Sequence, residues 1–308
     1  MAVVPFRKNV SWEDAAAEFI YFKMAEGRAE RTIRDYKEHI ARFFKRFPDA
    51  FDPARARKCV LEYMSDKIKP ATYNIRLAYL KSFFSWCVNE GILPENPTAG
   101  LKRRKDEGRI VSVEDSVLVK LLELPDKGTF TGLRDYALIL LTLDTGIRPG
   151  EALSLLPSDV NIRSCEVCVR AEVAKTRTRR TLPISPATAK AISKLLSVRH
   201  PEWEDDVPVF CSQDGLHMLE ESWHHRLTDY SKRLGKHIRP YDLRHAFALS
   251  YLRNGGNTLS LQRILGHTDL TMTKRYVALT QDDLKEQHAH ASPVNKLVPA
   301  KHRVVKIR

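Results

Sequence analysis

The sequence predicts a mainly α protein with a small antiparallel β-sheet. Three observations carry that prediction. Apolar residues recur at helical spacing through most of the chain, Gly and Pro fall where helix ends need them, and one stretch, Cys165 to Ile184, alternates apolar and polar side chains about a polar centre. At 308 residues the chain is long enough for two domains. The expected division is a helical domain over residues 1–99, a linker over 100–111, a second domain over 112–285 and a basic tail over 286–308.

The first helix is signalled by "SWEDAAAEFIYFKMAEG", where Ser11 and Asp14 suit an N-terminal cap and Gly27 a stop. In "TIRDYKEHIARFFKRF", Ile33, Tyr36, Ile40, Phe43, Phe44 and Phe47 keep helical spacing with basic residues between them. "PARARKCVLEYMSDK" gives a third helix and "KPATYNIRLAYLKSFFSWCVNEGIL" a fourth, ended by Gly91, so the first domain is expected to be a four-helix bundle. "LPENPTAGLKRRKDEGRI" then concentrates Pro, Gly and charge without apolar periodicity, which marks the linker; its "KRRK" reads as a solvated charge run or a phosphate-tracking one.

The second domain opens with a capped amphipathic helix in "SVEDSVLVKLLELP", followed by the strongly apolar "GLRDYALILLTLDTG" and a helix starting at Pro149 in "RPGEALSL". The alternating stretch 165–184 supplies the sheet, with a basic turn at its centre. Helices are expected again through residue 290, and an extended tail after it.

Lys and Arg number 51 against 38 for Asp and Glu, a net charge of +13. Residues 1–110 hold 22 basic and 15 acidic side chains, so +7 belongs to that part and +6 to the rest. A positive field on both parts implies a polyanionic partner. No apolar run approaches the length of a membrane span, and the N-terminus lacks a signal-peptide pattern, so a soluble intracellular protein is expected. Five scattered cysteines do not form a disulfide framework, and the C-x-x-C of Cys165 and Cys168 lies in an apparent strand, where residues three apart face opposite sides.

Four separated stretches place cations and proton donors beside loops or helix starts: "TGIRPGEAL", "AKTRTRRTLPI", "RPYDLRHAFA" and "LGHTDLTMTKRYV". Their order and spacing, across residues 112–285, resemble the tyrosine recombinase family, also called phage integrases. The helical first segment is similar to that family's core-binding domain. The resemblance implies that Arg148 and Arg244 are the two arginines of the site, Lys175 the hairpin lysine, His267 the histidine of "LGH" and Tyr276 the nucleophile. Tyr241 stands where the family usually has the His of His-x-x-Arg. A phenol still donates a hydrogen bond, but at neutral pH it is neither a base nor a cation.

The chemistry suits these residue types. Attack on a phosphodiester builds charge on its non-bridging oxygens, which two guanidinium forks stabilise. A phosphotyrosine ester keeps the energy of the broken bond, so rejoining needs no ATP. A cationic Lys on a hairpin can protonate the leaving sugar oxygen, and an imidazole can bind the phosphate or help take the phenol's proton. No metal or other cofactor is called for. Singly, each residue has a plainer role: a packed Tyr, a salt-bridged Arg, a phosphate-contacting cluster of Lys175 with Arg177, Arg179 and Arg180, a His helix cap. Glu151 is either a structural partner of Arg148 or a group that orients it. His245, about 100° around a helix from Arg244, is expected in the core or behind the site. His288 and His290 are expected to be solvated.

The resemblance further implies a C-shaped clamp on double-stranded DNA at a specific recombination site, a homotetramer in synapsis, and a possible accessory DNA-bending or directionality protein. With the first helix at Ser11, no arm-site domain is expected, and the layout is that of the simple two-domain recombinases. The expected activity is site-specific cleavage and rejoining through a 3′-phosphotyrosine, moving or resolving a mobile element in a bacterial-type cytoplasm, nucleoid-associated. Resolution of chromosome dimers, phosphotyrosine chemistry of the type IB topoisomerase or telomere-resolvase kind, and a silent DNA-binding protein are the alternatives.

Overall fold

The computed structural model describes residues 10–106, 112–277, 288–289 and 291–298. The chain divides into two compact units, Met1–Arg109 and Ile110–Arg308. It is mainly helical, with one three-stranded antiparallel sheet.

In the first unit four helices, α1 (Trp12–Ala25), α2 (Glu30–Arg46), α3 (Pro53–Met64) and α4 (Pro70–Asn89), bury an aromatic core. Ser11 caps α1, its Oγ accepting from the Asp14 amide at 3.0 Å. Phe43 stacks edge-on against Tyr63 and Phe84, and Phe19 against Phe83, the offset geometry that ring quadrupoles favour. The chain after α4 is irregular, and Arg104, exposed like the rest of its charge run, is tied back to α4. Asn74 accepts from its backbone amide at 2.8 Å and donates to its carbonyl at 2.9 Å, and its guanidinium lies 3.9 Å over Tyr73.

The second unit begins with α5 (Asp115–Glu123), α6 (Phe130–Thr145) and the short α7 (Pro149–Leu153). Glu114 precedes α5 without a capping hydrogen bond, because Ser112 lies too far upstream to serve. Strands β1 (Val160–Asn161), β2 (Glu166–Val169) and β3 (Arg180–Pro183) pair in that order, with Val167 opposite Leu182 and Val169 opposite Arg180. The two-residue β1 was not legible as a strand, and Cys165 falls just outside β2, at φ 52°. All five cysteines are free thiols.

Helices α8 (Pro186–Ser197), α9 (Glu220–Leu234), α10 (Pro240–Arg253), α11 (Thr258–Leu265) and α12 (Leu270–Val277) complete the unit. Between α8 and α9 the chain is not helical as expected but irregular, closed by a bridge between Cys211 and His217. Residues 278–287 and 299–308 lie outside the described residues, with that part of the expected helical stretch and most of the tail. Where the tail is described it is not extended throughout: Val294–Leu297 forms a short helix. His288 is exposed, and His290 is outside the described residues. No helix among the described residues is long and apolar enough to cross a membrane.

Helix α6 runs through the core, with Leu133, Ala137, Leu138 and Leu141 buried. It also buries Asp135 completely, and the charge is matched. Arg134 Nη2 donates to Oδ1 at 2.8 Å, while Arg226 Nε and the Tyr230 hydroxyl both donate to Oδ2 at 2.8 Å. Burial, then the Asp135 charge, pushes the Tyr230 phenol up to about 12. Asp135→Ala strands two guanidiniums and is expected to cost about 3–5 kcal/mol of stability, read from urea unfolding; a loss under about 1 kcal/mol would mean that the network holds nothing in place.

Candidate active site

Two helices of the second unit end with their C-termini converging. Helix α6 stops at Gly146 and α11 at Gly266, both in the left-handed conformation, at φ 61° and 62°. Gly146 is doubly required, since a Cβ there would overlap the Phe247 ring and Leu265. Carbonyls left unpaired at these ends form a negative seat. From α10, Arg244 donates through Nη1 to the Gly146 carbonyl at 2.5 Å and through Nη2 to the Leu265 carbonyl at 2.9 Å. Arg148, at the start of α7, donates through Nη2 to the Gly266 carbonyl at 3.2 Å. The same helix end therefore holds both arginines.

Glu151 joins the first arginine to the sheet. In "RPGE", Pro149 occupies the first turn and the Glu151 carboxylate reaches back, accepting from the Arg148 amide at 3.2 Å and from its Nη1 at 3.0 Å. It also accepts from Arg180 Nη1 at 3.2 Å and Nη2 at 2.5 Å, and from the Lys175 amide at 3.4 Å. Burial alone would raise this carboxyl. The Arg180 hydrogen bond and the Arg180 and Arg148 charges outweigh it and hold the group below its usual 4.5.

His267 follows Gly266 directly and is pinned at its backbone by Gln262. Its Nε2 lies 3.1 Å from Arg244 Nη2 and its Nδ1 lies 3.0 Å from Thr273 Oγ1. A guanidinium only donates, so Nε2 accepts and Nδ1 carries the proton toward Thr273. Burial, then the Arg244 and Arg148 charges, pushes the imidazole down to about 4, and it is neutral at pH 7. Burial and the Arg148 charge also lower Arg244, to about 10, still far enough above neutrality to stay cationic. Tyr276, from α12, is 4 % exposed and packs with Phe247, Leu252, Leu261 and Leu265. Its hydroxyl meets His245 Nδ1 at 2.7 Å.

The structure thus brings Arg148, Arg244, His267 and Tyr276 into one cluster. Lys175 joins it through its backbone amide, with its side chain exposed in the loop between β2 and β3. Tyr241, on the first turn of α10, is 46 % exposed, and among the described residues no hydrogen bond ties it to the cluster.

Two members were not assigned from sequence. Arg180 is one: it sits two residues before Leu182 on β3, so it points to the same buried side, and that alternation was the available signal. His245 is the other. The 100° turn from Arg244 directs it to the side where α12 packs, and no local pattern announces that contact. Three guanidiniums, one carboxylate and a neutral imidazole make a cluster of positive sign, suited to a phosphodiester. Among the described residues no group of three or more His, Cys, Asp or Glu side chains is arranged to hold a metal ion.

Comparison with known proteins covers both units. The model of the phage integrase family matches residues 112–282, and that of the phage integrase N-terminal SAM-like domain matches residues 17–91. Tyrosine recombinase XerC of Thermodesulfovibrio yellowstonii is 27 % identical over 290 residues, covering 90 % of this chain and 95 % of the relative. Tyrosine recombinase XerD of Listeria monocytogenes serotype 4b is 27 % identical over 300 residues, covering 91 % and 99 %. The Tn1549 transposon integrase, solved with a circular intermediate DNA, shares the fold at TM-score 0.71 and 19 % identity, over 92 % of this chain and 100 % of that one.

The lowered His267 gives a pH dependence of known sign. The unfolded chain takes up a proton near 6.5 that the folded site refuses until about 4, so stability is present above 6.5 and is lost as pH falls toward 4. Urea midpoints measured across that window should fall for the parent protein and fall less steeply for His267→Gln.

Proposed function

The chain belongs to the phage integrase family, tyrosine recombinases that cleave and rejoin DNA, and we propose that its positive cluster is the site where one strand of a duplex is cut. The observation that carries this is the meeting of Arg148, Arg244, His267 and Tyr276 around two helix C-termini. Arg148 and Arg244 hold the non-bridging oxygens of the scissile phosphate with the N–H groups that face away from the carbonyls. The Tyr276 oxygen attacks phosphorus and forms a 3′-phosphotyrosine. Lys175, exposed on its loop, protonates the leaving 5′ oxygen. His267, neutral, keeps Arg244 aimed through its Nε2. Tyr241, 46 % exposed on the first turn of α10, donates a hydrogen bond to a phosphate oxygen. Rejoining runs the same steps in reverse with a different 5′ end, which makes the reaction an exchange.

The partner is double-stranded DNA carrying a specific recombination site, in keeping with the net charge of +13 and the excess of basic residues in each part of the chain. The helical first unit and the basic stretch that follows it add contacts to the phosphate backbone. Exchange between two sites calls for a homotetramer, with an accessory DNA-bending or directionality protein as a possible addition, in a bacterial-type cytoplasm on the nucleoid. The site acts in moving or resolving a mobile element, the reading favoured by Tyr241 and the basic tail. Resolution of chromosome dimers is the second reading, favoured by the Xer names of the curated relatives.

The test is a nicked suicide duplex, its sequence selected from a randomised pool, on which a covalent protein–DNA adduct accumulates. Tyr276→Phe should abolish the adduct and retain DNA binding, and Arg244→Ala should slow its formation by about 10²- to 10³-fold. An adduct of undiminished yield with Tyr276→Phe, or none with the parent protein, contradicts the assignment.

A further inference from the structure

We propose that His245 is a catalytic residue that takes the proton of the Tyr276 hydroxyl as this oxygen bonds to phosphorus, and returns it on rejoining. The proposal rests on Tyr276 being the nucleophile. A phenol is protonated at neutral pH, with an ordinary value near 10, so a nearby acceptor is needed. His245 Nδ1 is 2.7 Å from the Tyr276 oxygen, within the range for direct proton transfer.

The other groups of the site are committed elsewhere. His267 spends its Nε2 lone pair on Arg244 and its Nδ1 proton on Thr273. The Glu151 carboxylate already accepts from Arg148, Arg180 and the Lys175 amide. Tyr241 is no base at neutral pH and lies exposed, and Lys175 is needed as an acid at the opposite end of the breaking bond.

The imidazole is in the form the step requires. Burial lowers it, the Asp242 carboxylate pulls it back, and the Arg244 and Arg239 charges lower it further, so the net direction is down and the ring is neutral at pH 7. Its position is fixed by covalent geometry: Arg244 and His245 are consecutive on α10, so phosphate binding and proton removal share one rigid element. In the forward step the Oη–P bond forms, the P–O5′ bond breaks, the phenol's proton moves to Nδ1 and a Lys175 proton moves to O5′. In rejoining, the imidazolium returns its proton to the departing phenol. The charge created on His245 lies beside Asp242 and close to the anionic phosphate.

The experiment compares single-turnover cleavage by His245→Asn and Lys175→Ala. Asn keeps a neutral polar atom near the Nδ1 position but cannot accept the proton, so a role limited to holding Tyr276 predicts a nearly normal rate. Proton acceptance predicts a loss of about 10²- to 10⁴-fold. On a duplex with a bridging 5′ sulfur, whose thiolate leaves unprotonated, Lys175→Ala should regain cleavage and His245→Asn should not. Cleavage by His245→Asn within about threefold of the parent rate, or its recovery on the sulfur substrate, overturns the proposal. Thermal melting and DNA binding establish that the variant is folded, and His245→Gln replaces it in the same assay if it is not. Absence of any adduct with the parent protein defeats the nucleophile assignment itself, an outcome distinct from a normal rate in His245→Asn.

Discussion

The Glu151 carboxylate, 2 % exposed, carries a negative charge into a place where desolvation alone would forbid it. It survives there because donors from three segments converge on it: Arg148 at the head of α7, Arg180 on β3, and the Lys175 amide in the loop that β2 and β3 carry. The dependence is mutual. Without the carboxylate, two guanidiniums are left side by side in the interior, a far worse state than the original pair. One group thus sets the direction of an arginine fork, fixes the inner end of the sheet and anchors the loop that presents the hairpin lysine.

The second arginine is held by different physics with the same outcome. Arg244, 4 % exposed, rests on carbonyls at the ends of α6 and α11, where the helix dipoles are negative and backbone acceptors are free. Seating cations on helix C-termini holds them in the interior without consuming carboxylates, so the cluster stays positive overall. That sign is what an incoming phosphodiester requires. The apolar packing of Tyr276 against Phe247, Leu261 and Leu265 binds α12 to the same corner, so the phenol and the two arginines share one framework.

Much of this was readable from residue order, and the parts that were not have physical reasons. Helices α1 to α4, α6 and α7 follow from local signals, such as Ser11 before α1 and Pro149 in α7, which act within one turn of chain. Strand β1 is two residues long, below what any periodicity can register. Arg180 was visible in principle, because Arg180, Leu182 and Ile184 share the buried side, but its charge made it look like part of a basic turn. His245 was expected in the core or behind the site, but its contact with Tyr276 was not visible. Its partner is 31 residues away on another helix, and the angle that separates it from Arg244 says only where it points, not what waits there. The departure at Tyr241 was plain in the sequence, and the structure adds that the residue is 46 % exposed.

Glu151 is the group that orders the site, and the most direct measurement of this is the single-turnover cleavage rate of Glu151→Gln beside its DNA affinity. Gln keeps the shape and removes the charge that holds Arg148 and Arg180. A misplacement of about an ångström costs on the order of 100-fold in rate, so Glu151→Gln should lose about that much, with DNA affinity changed by less than about twofold. Cleavage at the parent rate by a folded Glu151→Gln protein would contradict it.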